Sequence, residues 1–406
     1  MTKRLELEEA LEKWLPYIEK TATETIPLHL ARDRYLAEDI CSTMDQPPFN
    51  RSAVDGYALK AEDIKEATKE NPITLTLSDT VYAGSVPHIA LNHGQTIHIT
   101  TGAPIPACAT CVMMQEHVKI NEDSIVVTRP LKETINICPQ GEDYKKGHTL
   151  LEKGSKLEAA ALGLIASTGI AQVKVYKQPR VCLLNTGSEL TNPGEANTAA
   201  HIYNSNGYHI RALIEQCGGI CIASKIVVDD QASLSEAIQL AVKEADLVVT
   251  TGGVSVGNKD LMPIVLNQLG AETVFHRLAL KPGTPVLGAE YENTPILALS
   301  GNPLAAYVTF MLIGYPAIHS MMSEQTVPYR RVQAELAQAF PKKSPTRRFM
   351  AGQFTAGKNG HVQIATIGGI QGSGRLCGVL NCEALIDLPA GSPPIEAGQL
   401  VDVILL

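Results

Sequence analysis

Three short turns in this 406-residue chain carry residue types that hold phosphates: Asn185-Thr186-Gly187-Ser188-Glu189, Thr250-Thr251-Gly252-Gly253 and Ser300-Gly301-Asn302-Pro303. Each follows a short apolar run. Glycine lets backbone N–H groups approach an oxyanion closely, and a helix starting just beyond adds the favourable end of its dipole. A single turn of this kind is equally well explained by tight strand-to-helix packing. Three in one region point to a phosphate-bearing ligand, with Ser255 and Gly257 extending the second turn toward Asp260. Neither the P-loop ending nor the dinucleotide glycine spacing is present.

Carboxylates fall on the same expected rim: Glu189, Asp229, Asp230 and Asp260. Together they suit Mg²⁺, which takes one or two carboxylates plus phosphate oxygens and water. Taken singly, Asp260 and one of Asp229 and Asp230 read as helix N-caps. Arg277 and Lys281, four apart in "HRLALKPGTP", share a face whether the segment is strand or helix, and both can enter one pocket. Asp55 in "NRSAVDGYAL" reads first as a turn residue, and Ser52, Asp55 and Tyr57 second as a ligand-facing loop. "CATC" at Cys108–Cys111 has no second pair at zinc spacing and no thioredoxin-like context.

Positioning these residues takes several domains, since 406 residues exceed what one core organises. Leu7, Leu11, Trp14 and Leu15 predict an amphipathic helix ending near Pro16. Period-2 runs from "ITLTL" to "SIVVTRP" predict an inserted β domain over 46–143. The flanking segments 1–45 and 144–178 then pack together as one discontinuous linker domain. Over 179–326 short apolar runs alternate with helical patterns, the grammar of a central parallel sheet covered by helices. The sheet's strand ends would gather the three turns on one edge. Over 327–406 short β runs predict a C-terminal β barrel. The fold class is therefore multidomain α/β plus β.

Composition narrows the partners. A net charge of −8 argues against bulk binding to nucleic acid, so an anion must be held by a local pocket. The first residues lack the unbroken apolar core of a signal peptide, and "LAAYVTFMLIGYPAI" is too short and too broken for a membrane span. Nine cysteines suit reduced thiols and a cytoplasmic location.

In order along the chain, "PPFNRSAVDGYAL", "TGAPIP", "GEDYKKG", "NTGSEL", "TTGGVSVGNKD", "LALKPGTPV", "SGNPLAAYVTF" and "GSGRL" resemble the molybdopterin molybdenumtransferase family, the MoeA and gephyrin E-domain type. The resemblance implies that the α/β module binds molybdopterin, that the protein is a homodimer, and that the active cleft is shared between subunits. It implies insertion of molybdate into adenylylated molybdopterin with Mg²⁺-dependent release of AMP. A molybdopterin adenylyltransferase upstream and apo-molybdoenzymes downstream would be the partners. Residues carried over by motif position are Asp55, Asp229, Asp260, Arg277 and Lys281 for catalysis. Thr101, Asp143, Thr186, Gly187, Ser188, Glu189, Thr251, Gly252, Gly253, Ser255, Gly257, Gly301, Asn302, Pro303 and Ser373 would bind the pterin substrate, and Glu189, Asp229 and Asp260 the metal. Departures stand at Cys138, Ser188, Asn258, Thr284, Ser300 and Ala305, where the family usually has Arg, Asp, Glu, Lys, Pro and Ser. They imply an alternative: a low-activity or inactive paralogue that binds or carries molybdopterin. Molybdate and tungstate, both tetrahedral dianions, are not distinguished.

Overall fold

A computed structural model describes residues 4–196, 198–254, 261–325, 329–357, 360–367 and 372–406. The chain divides into two compact units. One comprises residues up to 38, 153–158 and 173–406; the other comprises 39–152 and 159–172.

The larger unit is organised by a six-stranded sheet in the order Ile220–Val227, Arg180–Thr186, Leu247–Thr251, Thr294–Leu299, Leu287–Tyr291, Glu272–His276. The first four strands run parallel, and Leu287–Tyr291 is antiparallel to its neighbours on both sides. The strands read as unbroken apolar runs because both faces are covered. Val181, Leu183, Val249, Leu297 and Leu299 pack with Ile210, Leu213 and Ile214 of the helix Ser205–Gln216. The alternate residues Cys182, Leu184, Val248, Ile296 and Ala298 pack with Leu234, Ile238, Met262, Val265 and Leu266 on the other face. Each Val, Leu, Ile or Met among them, fully buried, contributes about 1.5–3 kcal/mol.

After Asn302 a helix runs Pro303–Thr309, widens to a π turn at Phe310–Gly314 and resumes as Tyr315–Ser320. Pro316, which has no N–H to donate, lies just past the widened turn. The N-terminal helix Leu7–Trp14 buries Leu7, Ala10, Leu11 and Trp14 in the same core, with Trp14 edge-on to Phe275 at 5.8 Å. At the C-terminal end, Arg347–Ala356 pairs with Val362–Thr366, then Arg331–Leu336, Leu400–Leu405 and Ala384–Leu388 follow, and the last pairs back with Arg347–Ala356. That ring is a closed five-stranded barrel, filled by Leu336, Ile364, Ile386 and Val403.

The smaller unit carries a six-stranded half-barrel sheet in the order Cys111–Met114, Gly56–Leu59, Gln95–Ile99, Ile73–Val81, Ser124–Val127, Val118–Ile120. Tyr57, Leu59 and Met113 pack on one face and Ala58, Ile97 and Val112 on the other.

Candidate active site

Strand register places the turns of the α/β module on one edge. Thr186 is opposite Val227, Asn185 opposite Thr251, and Thr251 opposite Leu299. The segments beginning at Gly187, Val228, Gly252 and Ser300 therefore leave four neighbouring strands side by side. Buried polar groups tie them: the Thr251 hydroxyl donates to Asn185 Oδ1 at 2.9 Å, and the Thr186 hydroxyl to the Thr251 carbonyl at 3.3 Å. Gly252 has φ +93°, and a Cβ there would lie 2.4 Å from the Thr186 carbonyl oxygen. No other residue fits that approach.

The expectation that glycine N–H groups face an oxyanion is corrected at two positions. The Gly252 N–H donates to the Leu299 carbonyl at 3.0 Å and the Gly187 N–H to the Val227 carbonyl at 3.3 Å. Both serve as last rungs between strands.

A cavity of ≈ 390 Å³ opens at this edge, lined by Thr186, Glu189, Thr251, Gly301, Asn302 and Pro303 from the expected set. Tyr203, Asn204 and Asn206, which the sequence reading missed, line it too. Asn204 caps the helix Ser205–Gln216 by accepting from the Gly207 N–H at 2.9 Å. Asn206 Nδ2 donates to the Gly301 carbonyl at 2.8 Å, which fixes the third turn. The short strand Ile202–Tyr203 lies against Leu190–Thr191, and the Ile202 N–H donates to the Glu189 carbonyl at 2.8 Å. "YNSN" after a strand was the available signal.

A second cavity of ≈ 440 Å³ shares Asn302 with the first and lies between the module and the barrel. Lys281, Lys342 and Arg348 line it with Ser300, Thr284, Asn302 and Ser373, and among the described residues no carboxylate does. Lys281 is the register partner of Arg348, through the short parallel pairing of Leu280–Lys281 with Arg347–Arg348. Arg348 is steered by Phe340, whose ring lies 5.6 Å from the guanidinium carbon, and by Ser344 Oγ at 3.4 Å from Nε. The Leu304 N–H donates to the Ser373 carbonyl at 3.1 Å, tying the barrel-side loop to the helix start. Thr284 turns its hydroxyl to the Leu280 carbonyl at 2.5 Å. Lys342 and Arg348 come from "PKKSPTRR", where the sequence alone offers no sign that two of its cations reach a shared cavity.

Other expected residues fall elsewhere. Arg277 does not share a strand with Lys281: its φ is +67°, and the chain leaves the edge of the large sheet there and joins the barrel at Leu280. It lines neither cavity. Asp229 is half-buried just past Val227, and Asp230 takes the capping role, accepting from Ser233 N–H at 2.9 Å and Ser233 Oγ at 2.7 Å. Those two bonds, the N–H first, hold its carboxyl below the ordinary value. Ser255, Gly257, Asn258 and Asp260 lie outside the described residues. Among the described residues no three His, Cys, Asp or Glu side chains group as metal ligands. Glu189 and Asp229 supply oxygen donors just beyond two adjacent strand ends, the donor type Mg²⁺ takes.

In the smaller unit Asp55 and Thr101 meet: Asp55 Oδ1 accepts from the Thr101 N–H at 2.6 Å and from its hydroxyl at 3.0 Å. The N–H, then the hydroxyl, hold the Asp55 carboxyl below its usual value. Asp143 is exposed, with its N–H donating to the Gln46 carbonyl. Ser52 and Tyr57 are buried, so of those three residues Asp55 alone is exposed. Cys111 is buried in the sheet, which pushes its thiol up to about 12, whereas Cys108 is exposed.

This architecture of half-barrel sheet, α/β module and closed barrel is that of the MoeA class. Residues 5–169 match the family described as MoeA N-terminal region (domain I and II), 182–320 the probable molybdopterin binding domain, and 333–406 the MoeA C-terminal region (domain IV). The chain is 34% identical over 401 residues to the molybdopterin molybdenumtransferase of Staphylococcus epidermidis, covering 99% of this chain and 95% of that one. It is 33% identical to that of Staphylococcus aureus over 399 residues, 98% of this chain and 95% of that one. The crystal structure of the molybdopterin biosynthesis MoeA protein of Pyrococcus horikoshii OT3 superposes with a TM-score of 0.84 at 32% identity over 100% of both chains. The chain belongs to the molybdopterin molybdenumtransferase family and is an enzyme of molybdenum cofactor biosynthesis.

Proposed function

We propose that the protein inserts molybdate into adenylylated molybdopterin with release of AMP, using the two cavities that meet at Asn302. The observation that carries this reading is a cavity lined by Lys281, Lys342 and Arg348 with no carboxylate among the described residues, adjoining a polar cavity at the sheet's strand ends. A tetrahedral dianion suits the first, where three cations offset its charge. The phosphate and pterin parts of the substrate suit the second, among Thr186, Thr251, Gly301, Asn302 and Asn206.

Mg²⁺ suits the carboxylate donors Glu189 and Asp229 beyond the strand ends; they, with Asp260 as the sequence resemblance implies, would hold it, and when bound it would neutralise the phosphoanhydride and ease its hydrolysis. Asn302, lining both cavities, orients the two substrates toward each other. Lys281 and Arg348 draw the oxyanion in and hold it. Asp55, kept ionised by Thr101, is available to accept a hydrogen bond or a proton at the reacting end. A homodimer in which the second subunit contributes Asp55 is the assembly this reading calls for, and no helix among the described residues is long and apolar enough to cross a membrane. Cytoplasmic location fits the reduced cysteines. Arg277 is assigned a supporting role only.

The test is AMP release from adenylylated molybdopterin with Mg²⁺, with and without molybdate. Molybdate-stimulated release, lost in Lys281→Ala, is expected. Release at the same rate without molybdate would overturn the reading.

A further inference from the structure

Arg347 and Arg348 are consecutive on a barrel strand, and the pleat sends them to opposite sides. Arg348 lines the cation-rich cavity. Arg347 is held on the other side by two carboxylates. Its Nε and Nη2 donate to Asp387 Oδ1 and Oδ2 at 2.9 and 2.7 Å, and its Nη1 and Nη2 to Glu8 Oε2 and Oε1 at 2.7 and 3.0 Å. Arg331 braces both acids, donating to Asp387 at 2.7 Å and to Glu8 at 3.2 Å.

Glu8 belongs to the N-terminal helix, and the residues leading into that helix brace the other wall of the cavity. The Leu5 N–H donates to the Arg277 carbonyl at 3.3 Å, and the Ala279 N–H donates to the Leu5 carbonyl at 2.8 Å. These bonds hold the segment that delivers Lys281, two residues further on, to its place opposite Arg348. One short N-terminal stretch thus holds the chain on both sides of the cavity, although none of its side chains lines it.

We propose that Glu8 is a positioning residue for oxyanion binding: through the Glu8–Arg347–Asp387 cluster and the Leu5 bonds, the N-terminal helix fixes Lys281 and Arg348 at the spacing that a tetrahedral oxyanion requires. The proposal rests on the reading of that cavity as the molybdate subsite. The geometry explains how two cations stay side by side on paired strands. Like charges directly opposite repel. Phe340 and Ser344 steer Arg348 on the cavity side, and the two acids anchor Arg347, and with it the strand, from the other side.

The experiment measures KM for molybdate, KM for adenylylated molybdopterin and kcat of AMP release in the full-length protein. The variants are Glu8→Gln and Arg347→Lys, with Lys281→Ala and Arg348→Ala as controls. Glu8→Gln and Arg347→Lys are expected to raise KM for molybdate roughly tenfold, the order of one charge-assisted hydrogen bond, and to leave the pterin KM and kcat at saturating molybdate within about twofold. Arg347→Lys keeps the charge and loses the fork, so it tests geometry apart from charge. Molybdate KM unchanged in both, while Arg348→Ala raises it, would overturn the positioning role alone. Equal losses in both KM values would reduce the cluster to general stability and also overturn it. Unchanged molybdate KM in Lys281→Ala and Arg348→Ala would remove the subsite reading itself.

Discussion

Lys281 and Arg348 stand opposite each other in a two-residue parallel pairing between the edge of the α/β module and the barrel. Two cations in register carry a repulsion that a bound anion relieves. Removing either should therefore weaken anion binding while easing that repulsion. Arg348→Ala is expected to weaken molybdate binding by about tenfold or more and to leave melting temperature unchanged or slightly raised without molybdate. Calorimetric titration with molybdate and a thermal melt in its absence check both halves. Loss of stability together with loss of binding would mean that Arg348 is structural.

Asp387 is only 3% exposed and accepts from both Arg331 and Arg347. Asp387→Asn keeps the shape and removes the charge, leaving the half-exposed Glu8 as the carboxylate that Arg331 and Arg347 share. Breaking a buried pair from one side costs about 3–5 kcal/mol. Chemical denaturation should show a loss of that order, larger than for Glu8→Gln, because Glu8 is about half exposed.

Glu8 gives that cluster a pH dependence. Partial burial, the largest single effect, pushes its carboxyl up, but the hydrogen bonds from Arg347, a backbone hydrogen bond and the charges of Arg347 and Arg331 together outweigh it and hold the carboxyl below the ordinary 4.5. A folded value below the unfolded one means that the contribution is fully present above the unfolded value and lost as pH falls through the folded one. The stability difference between wild type and Glu8→Gln should hold constant above about pH 5 and shrink below about 4.5. A difference that persists unchanged at pH 3 would show that Glu8 does not act through its charge.

Gly252 is the tightest backbone approach at the strand-end edge. Gly252→Ala would place a methyl 2.4 Å from the Thr186 carbonyl at φ +93°. A left-handed conformation alone costs an alanine about 1–2 kcal/mol, and the clash adds to it. Denaturant unfolding should show at least that loss, and AMP release should fall because Thr186 and Thr251 both line the cavity. A variant of wild-type stability would mean that the turn is free to relax.

The sequence was most legible where local pattern and global packing agree. Leu247–Val249 reads as a buried strand because the sheet is covered on both faces, and the turns after Thr186, Thr251 and Leu299 share an edge because parallel strands force it. Legibility failed where partners distant in sequence decide. "TVFHRLAL" reads as one strand, yet it breaks at Arg277, whose N–H pairs with Val286 and whose carbonyl pairs with Leu5. Arg347 and Arg348 look equivalent as letters. Asp387 and Glu8 claim one, and the cavity takes the other. Likewise the threonine at 284 reads as a lost charge, whereas the barrel supplies Lys342 and Arg348 to the same cavity.

Asp55 is the smaller unit's candidate for the proposed reaction. With the Thr101 N–H and hydroxyl both on Oδ1, its carboxyl stays ionised through neutral and mildly acid pH, a state that can accept a hydrogen bond but has no proton to donate. Asp55→Asn keeps the size and loses the acceptor charge, and should lower kcat for AMP release by about 100-fold or more while pterin binding persists. Thr101→Val removes the hydroxyl and keeps the N–H, so the Asp55 carboxyl should rise part of the way to its usual value, measurable by carboxyl-carbon NMR titration. The activity profile should then lose its acid side at a higher pH than in wild type, because the protonated fraction grows earlier as pH falls. A Thr101→Val enzyme with a shifted Asp55 titration and an unmoved pH profile would separate Asp55 from the rate-limiting chemistry.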